Sequence, residues 1–131
     1  MDFTFIIIIS YVVGALPTSI IIAKSVAGID IRQHGSGNAG MTNIVRVVGW
    51  KPGLIVGAVD IFKGWVATAW FPHFLLINST KMDISIVQIA AGAAAVLGHT
   101  FTIFAGFRGG KGIATLAGMM IALYPVAVAV C

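Results

Sequence analysis

The sequence predicts an all-α integral membrane protein of about four transmembrane helices, with two glycine-rich loops on the cytoplasmic side. Three observations carry this. Of the 131 residues, 59% are hydrophobic and 9% charged, against about 25% charged in an ordinary soluble domain, so the polar residues cannot cover a globular surface. The apolar residues gather into four stretches, each long enough for a hydrocarbon core that takes about 20 helical residues. The basic residues concentrate in two of the three polar segments between those stretches.

The first stretch, about Phe3 to Ala23, carries no charge. It opens on Asp2 rather than on a positive segment and exceeds the roughly 7 to 15 apolar residues of a signal peptide, so it is expected to remain as a span. Pro17 should kink it and free a carbonyl near Val13 for Thr18, Ser19 or neighbouring helices to satisfy. The second stretch, about Gly53 to Ile77, contains Asp60 and Lys63, three positions apart on one helix face and so able to pair within the membrane. The third runs from about Ile84 to Phe107 and the fourth from about Ile113 to Cys131. Gly53 with Gly57, and Gly92 to Ala95, are thin faces suited to close helix approach. Residues 1–131 read as a single membrane domain, the N-terminal part of a longer multi-span protein, because the last stretch is still apolar where the sequence stops.

Orientation follows from the cytoplasmic excess of Lys and Arg. Segment 24–52 holds Lys24, Arg32, Arg46 and Lys51, and segment 108–112 holds Arg108 and Lys111, whereas the middle segment, 78–83, has Lys81 alone. The two richer segments are therefore expected in the cytoplasm and the N-terminus outside. Asn78-Ser79-Thr80 matches a glycosylation acceptor, a pattern too common by chance to weigh. The net charge of +4 comes without a basic run or an interleaved aromatic surface, which argues against nucleic acid as a partner. A lone cysteine, Cys131, excludes a disulfide framework and a Cys-rich zinc site.

Chemistry concentrates in two motifs. Gly35-Ser36-Gly37-Asn38-Ala39-Gly40-Met41-Thr42-Asn43, with Arg46 three positions on, contains GxGxxG, but no βαβ unit surrounds it and Asp60 lies inside a span, so the dinucleotide reading fails. Three glycines let successive amides point into one concavity that suits an anion. Ser36, Asn38, Thr42 and Asn43 add neutral donors, and Arg46 adds a planar charged fork for phosphate oxygens. The competing account is a turn and helix cap in which these side chains serve the backbone; it covers one or two of them, not four plus an arginine. The second motif joins Gly98-His99 to Phe107-Arg108-Gly109-Gly110-Lys111-Gly112, with Thr115 beyond. Gly109, Gly110 and Gly112 would let the backbone approach a phosphate, Lys111 would act as a point charge, and a helix starting near Ile113 would offer its first amides. It is not a Walker A loop, since Gly112 rather than Ser or Thr follows the lysine. His99 is a candidate base or ligand, set against a histidine bonded to a neighbouring helix; His34 has similar standing, and His73 reads as structural.

With these two motifs and Asp60-Ile61-Phe62-Lys63-Gly64 between them, the chain resembles the bacterial acyl-phosphate:glycerol-3-phosphate acyltransferases, the PlsY family. The resemblance spans essentially the whole chain. It implies transfer of an acyl group from acyl phosphate to the 1-hydroxyl of glycerol 3-phosphate, giving lysophosphatidic acid, in a bacterial inner membrane and without metal or organic cofactor. It implies a substrate site built from Ser36, Gly37, Asn38, Thr42, Asn43 and Arg46 of the first motif and His99, Gly109, Gly110, Lys111, Gly112 and Thr115 of the second. His99, Lys111 and Ser36 are the expected catalytic residues, supported by Asp60 and Lys63, with the general base open between the substrate phosphate itself and a residue of the family's further segment. Glycerol 3-phosphate, acyl phosphate and membrane lipid are the expected partners. The family also carries further spans and a third motif bearing His, Asn and Glu, and this chain has no Glu. Its other features fit two alternatives, a membrane anion or phosphate transport subunit whose loops bind phosphate transiently, and a non-catalytic relative that only packs against another membrane protein.

Overall fold

A computed structural model of the chain describes residues 2–75 and 81–130. All regular structure among them is helical. Three helical runs are long and apolar enough to cross a membrane, Phe3–Ala27, Trp50–Phe74 and Ile84–Ala105, and a shorter apolar helix covers Ile113–Leu123. The Asn78-Ser79-Thr80 match and Cys131 lie outside the described residues.

The first run is two helices, α1 (Phe3–Gly14) and α2 (Thr18–Ala27), broken over Ala15–Pro17. Proline supplies no N–H and disfavours helical backbone at the residue before it, so the kink expected at Pro17 is a full interruption. The exposed carbonyls are not the one near Val13, which accepts from the Leu16 amide, but those of Ala15 and Leu16. Thr102 Oγ1 donates to Ala15 O, and Leu16 O accepts from Lys63 Nζ at 3.0 Å and, as expected of Thr18, from its amide at 2.9 Å and its hydroxyl at 3.4 Å. Irregular backbone at membrane depth persists only with such partners. Gly28, in the left-handed region at φ 67°, ends α2.

Between spans one and two the chain forms a 3-10 turn, Ile31–Gln33, the first glycine-rich loop, and the short helix α3 (Met41–Val47). Helix α4 (Trp50–Trp65) continues through a π-helical turn, Val66–Trp70, into α5 (Phe71–Leu75). The widened turn ends two residues before Pro72 and includes Thr68, four residues back, whose carbonyl the proline ring would meet in a regular α-helix. Helix α6 (Ile84–Thr100) stops seven residues short of the apolar boundary at Phe107; a second 3-10 turn, Ile103–Ala105, leads into the second glycine loop. The fourth stretch is divided at Tyr124–Pro125 into α7 (Ile113–Leu123) and α8 (Pro125–Val130). At 1.5 Å per residue α7 alone is about 17 Å long, shorter than the full span expected.

Two close crossings organise the bundle. Gly14 and Gly98 bring α1 against α6, where a Cβ would strike Ala95 backbone on one side and Tyr11 and Ala15 backbone on the other. Gly64 and Gly118 do the same for α4 and α7, against the backbone of Thr115, Ile61 and Trp65. Small residues serve here because apolar burial gives helices little mutual attraction in lipid, and contact distance decides packing. Gly92 joins the thin face expected of α6, against Thr68 and Met119. Gly53 and Gly57 do not seat another span; they receive Val45 and Met41 of α3. That contact, with a buried cluster of Ala23, Ile31, Ala39, Ile44 and Val56, holds the first loop against α2 and α4. A second cluster, Ile6, Ala67, Phe71, Val87, Ala91 and Ala95, lies among α1, α6, the π turn and α5.

Candidate functional site

The first loop is organised by one side chain. Asn43, 1% exposed, accepts from the Ser36 amide at 3.1 Å and donates to His34 O at 2.9 Å, Asn38 O at 3.1 Å and Ile31 O at 3.3 Å. Both ends of its amide are thus spent on the loop, and Asn43 holds the turn rather than offering donors to a ligand. Gly35 and Gly37 take left-handed φ of 56° and 75°, and Gly35 also lies too close to Asn43 and Val47 for a Cβ. The turn leaves Ser36 exposed and Asn38 half-buried beside Arg46 and Thr42, both exposed.

The second loop folds back on the end of α6. The Gly109 amide donates to Thr100 O at 3.0 Å and the Gly110 amide to His99 O at 3.3 Å. These two amides, expected to meet a phosphate, are therefore occupied by the carbonyls that the end of α6 leaves open. The glycines are needed for closeness instead: a Cβ on Gly109 would meet His99 and Thr100 carbonyls, and one on Gly110 would meet His99 Nε2 and Ala39 O. Gly112, at φ 76°, caps the start of α7, whose first amides have no partner within the helix. Lys111 beside it is exposed.

The two loops, far apart in sequence, line one cavity of about 320 Å³. Ser36, Asn38, Thr42, Asn43 and Arg46 come from the first, Lys111, Gly112, Ile113 and Ala114 from the second, and Asp60 and His99 from the spans beneath. Arg46 and Lys111 make no ion pair among the described residues, so the cavity carries two uncompensated cations and the positive end of α7. Thr115 lies outside it. It is wholly buried, its hydroxyl has no partner among the described residues, and its carbonyl meets Gly64 at the α4–α7 crossing. Gly37 also misses the cavity, and Gly109 and Gly110 line a separate narrow cleft behind His99, with room for about one water and walls of Leu16, Pro17, Thr18 and Ser19.

Asp60 and Lys63 pair as the spacing implied, at 2.8 Å, with side chains 2% and 3% exposed. Lys63 faces the Leu16 carbonyl and not the cavity. His99 joins them, its Nδ1 3.6 Å from Asp60 Oδ1, and its Nε2 side abuts Gly110. Carboxylate, ammonium and imidazole thus form one buried group joining α4, α6 and the break in the first span.

Sequence reasoning missed the contacts between the loops. Asp30 accepts from the Arg32 amide and from Arg32 Nε at Oδ1 (3.0 and 3.1 Å) and from Arg32 Nη2 at Oδ2 (2.9 Å), while Nη1 donates to Ala105 O at 2.9 Å. Hydrogen bonds from Arg32 hold the Asp30 carboxyl at about 2, and the same carboxylate raises Arg32. Tyr11 Oη donates to Phe101 O at 2.6 Å. Asp30-x-Arg32 is visible in the sequence as a local ion pair, but its reach to Ala105 is not.

A model of the family described as Glycerol-3-phosphate acyltransferase matches residues 4–131. Among curated relatives, the glycerol-3-phosphate acyltransferase of Pelodictyon phaeoclathratiforme is 50% identical over 125 residues, covering 92% of this chain and 53% of that one. That of Chlorobaculum tepidum is 49% identical over 130 residues, covering 96% and 56%. The chain spans about half the length of the curated relatives it matches. The fold is similar to crystal structures of PlsY (YgiH), an integral membrane glycerol 3-phosphate acyltransferase. Its glycerol 3-phosphate form gives a TM-score of 0.84 at 36% identity and its lysophosphatidic acid form 0.81 at 35%, each covering 98% of this chain and 60% of the other. With a family match over nearly its whole length and a shared membrane fold, the chain belongs to the glycerol-3-phosphate acyltransferase family.

Proposed function

We propose that the protein of which this chain forms part transfers an acyl group from acyl phosphate to glycerol 3-phosphate, releasing lysophosphatidic acid and phosphate. The observation that carries this is the cavity shared by both glycine loops, with Arg46 and Lys111 in no ion pair among the described residues and Ser36, Asn38 and Thr42 beside them. Two phosphate-bearing substrates need two cations, and the cavity has two. Arg46, Ser36, Asn38 and Thr42 hold the phosphate of glycerol 3-phosphate, with the guanidinium presenting its fork to the oxygens. Lys111 and the first amides of α7 stabilise negative charge on the phosphate that departs. The 1-hydroxyl oxygen forms a bond to the acyl carbonyl carbon, the bond from that carbon to the phosphate oxygen breaks, and the electron pair leaves with the phosphate. The hydroxyl proton passes to a phosphate oxygen of the bound substrates, and His99, with Nδ1 toward Asp60, lines the cavity beside the reacting groups. Orienting substrates that are already activated supplies much of the acceleration.

The same reading places the protein in the bacterial inner membrane with both loops in the cytoplasm and the N-terminus outside, in line with six basic residues on the loop side and Lys81 opposite. Membranes carrying the full-length protein are expected to form lysophosphatidic acid from glycerol 3-phosphate with acyl phosphate and not with acyl-CoA. The reverse donor preference would overturn the assignment, and saturable phosphate flux in proteoliposomes without acylated product would move it to transport.

A further inference from the structure

The cavity depends on two loops about 70 positions apart in sequence keeping a fixed separation. Arg32 lines neither the cavity nor the cleft. Its Nε and Nη2 edge is committed to the Asp30 carboxylate, whose negative charge offsets its own, and this sets the remaining nitrogen, Nη1, on Ala105 O. That carbonyl also receives the Arg108 amide at 3.2 Å, so it lies at the root of the second glycine loop. On the other side, Ile31, next to Arg32, offers its carbonyl to Asn43, which holds Ser36. Hydrogen bonds from Ser36 to Asn43, Asn43 to Ile31 and Arg32 to Ala105, joined by the Ile31–Arg32 peptide link, therefore connect the loops, and the second continues from Ala105 to Lys111.

We infer that Arg32, oriented by Asp30, is a positioning residue that sets the spacing of the two phosphate-binding loops, and so the affinity for glycerol 3-phosphate, without touching substrate. Lysine cannot replace it. A single ammonium lacks the planar fork that grips Asp30 along one edge and leaves a third donor aimed elsewhere. The loss should appear in substrate binding more than in turnover, because bound substrate must then itself draw the loops together.

The effect on affinity rests on the acyltransferase reading; the strap itself does not, and the test separates them. In a cysteine-free background of the full-length protein in bilayers, spin labels at Gln33 and Phe107, both exposed, report the distance between the loop roots. A narrow distribution is expected for the parent and a broadened one for Arg32→Ala, Arg32→Lys and Asp30→Ala. An unchanged distribution in Arg32→Ala overturns the strap whatever the protein catalyses. In parallel, KM for glycerol 3-phosphate should rise about tenfold in Arg32→Ala, the low end for losing a charged hydrogen bond, with kcat within about threefold of the parent. Asp30→Ala/Arg32→Ala should be no worse than Arg32→Ala alone, since the pair acts as a unit. A fall in kcat at unchanged KM, or additive effects of the two substitutions, overturns the positioning role. A parent that forms no lysophosphatidic acid overturns the acyltransferase reading, and the label distances still judge the strap.

Discussion

Lys63 is the most informative residue to remove, because its ammonium serves two partners from two spans. Its Nζ lies 2.8 Å from Asp60 Oδ1 and 3.0 Å from Leu16 O, and the paired side chains are almost wholly buried. Lys63→Met keeps the length and apolar stem but leaves the carboxylate, among the described residues, with His99 alone at 3.6 Å, and takes one donor from the Leu16 carbonyl. Breaking a buried pair by removing one partner costs about 3 to 5 kcal/mol, and this range is the expected loss of unfolding free energy. Asp60→Asn should sit near the lower end, about 3 kcal/mol, because the asparagine carbonyl still accepts from the ammonium. The double variant Asp60→Asn/Lys63→Met buries no charge and should lose no more than about 2 kcal/mol, since Leu16 O keeps the Thr18 amide and hydroxyl as donors. The assay is reversible unfolding in mixed micelles by SDS titration, followed by far-UV circular dichroism. Both single variants within about 1 kcal/mol of the parent, or a double variant as unstable as the two losses summed, would refute the claim that this pair braces the break in the first span.

Gly110→Ala should lower acyl transfer by more than about tenfold with helical content unchanged, because its Cβ would meet His99 Nε2 and Ala39 O; steady-state rates and circular dichroism check this together. Lys111→Ala should reduce kcat by about 100-fold, the scale for removing one group that stabilises developing charge, measured with saturating glycerol 3-phosphate. Asp30 has a pH signature. Its carboxyl is held at about 2, below its ordinary 3.8, so its contribution is complete above about pH 4 and is lost as pH falls toward 2. The Gln33 to Phe107 label distance should therefore broaden over that interval and stay constant from pH 5 to 8, and Asp30→Asn should abolish the acid transition.

Much of the bundle was legible because membrane helices announce themselves by length and apolarity, and the pairing of Asp60 with Lys63 because i to i+3 spacing on a helix leaves little alternative. The interruption at Pro17 was visible as a kink, yet which carbonyls it would expose depended on Thr102 and Lys63 arriving from other spans. Nothing local to residues 13–17 contains that information. Tyr124-Pro125 ended α7 by the same chemistry and was absorbed into an apolar run, since hydropathy averages over the break. At the site, glycine and polar composition located both loops and the cations. Roles were harder to read. Gly109 and Gly110 matched the pattern of a phosphate nest, but the end of α6 presents open carbonyls at that point and takes their amides first. Thr115 was near the right loop in sequence and faces a helix crossing in space.

Asn43 shows how the two possible uses of a polar loop residue can be told apart. Its amide makes four hydrogen bonds to loop backbone, more than a side chain free to bind substrate could spare. Asn43→Ala removes the acceptor for the Ser36 amide and two N–H donors shared among three carbonyls, each lost bond costing on the order of 1 kcal/mol where no water replaces it. The loop should then open while the spans, held by Gly14 against Ala95 and Gly64 against Thr115, stay closed. Amide exchange at Ser36 and Gly37 is expected to accelerate by at least about tenfold, with α1, α4 and α6 unaffected. Asn43→Asp is the sharper variant: it keeps an acceptor for the Ser36 amide but turns a second oxygen on the carbonyls of Ile31, His34 and Asn38 and buries an unpaired charge. Its exchange should be at least as fast as in Asn43→Ala. Protection at Ser36 that survives both substitutions, with only KM altered, would make Asn43 a ligand after all.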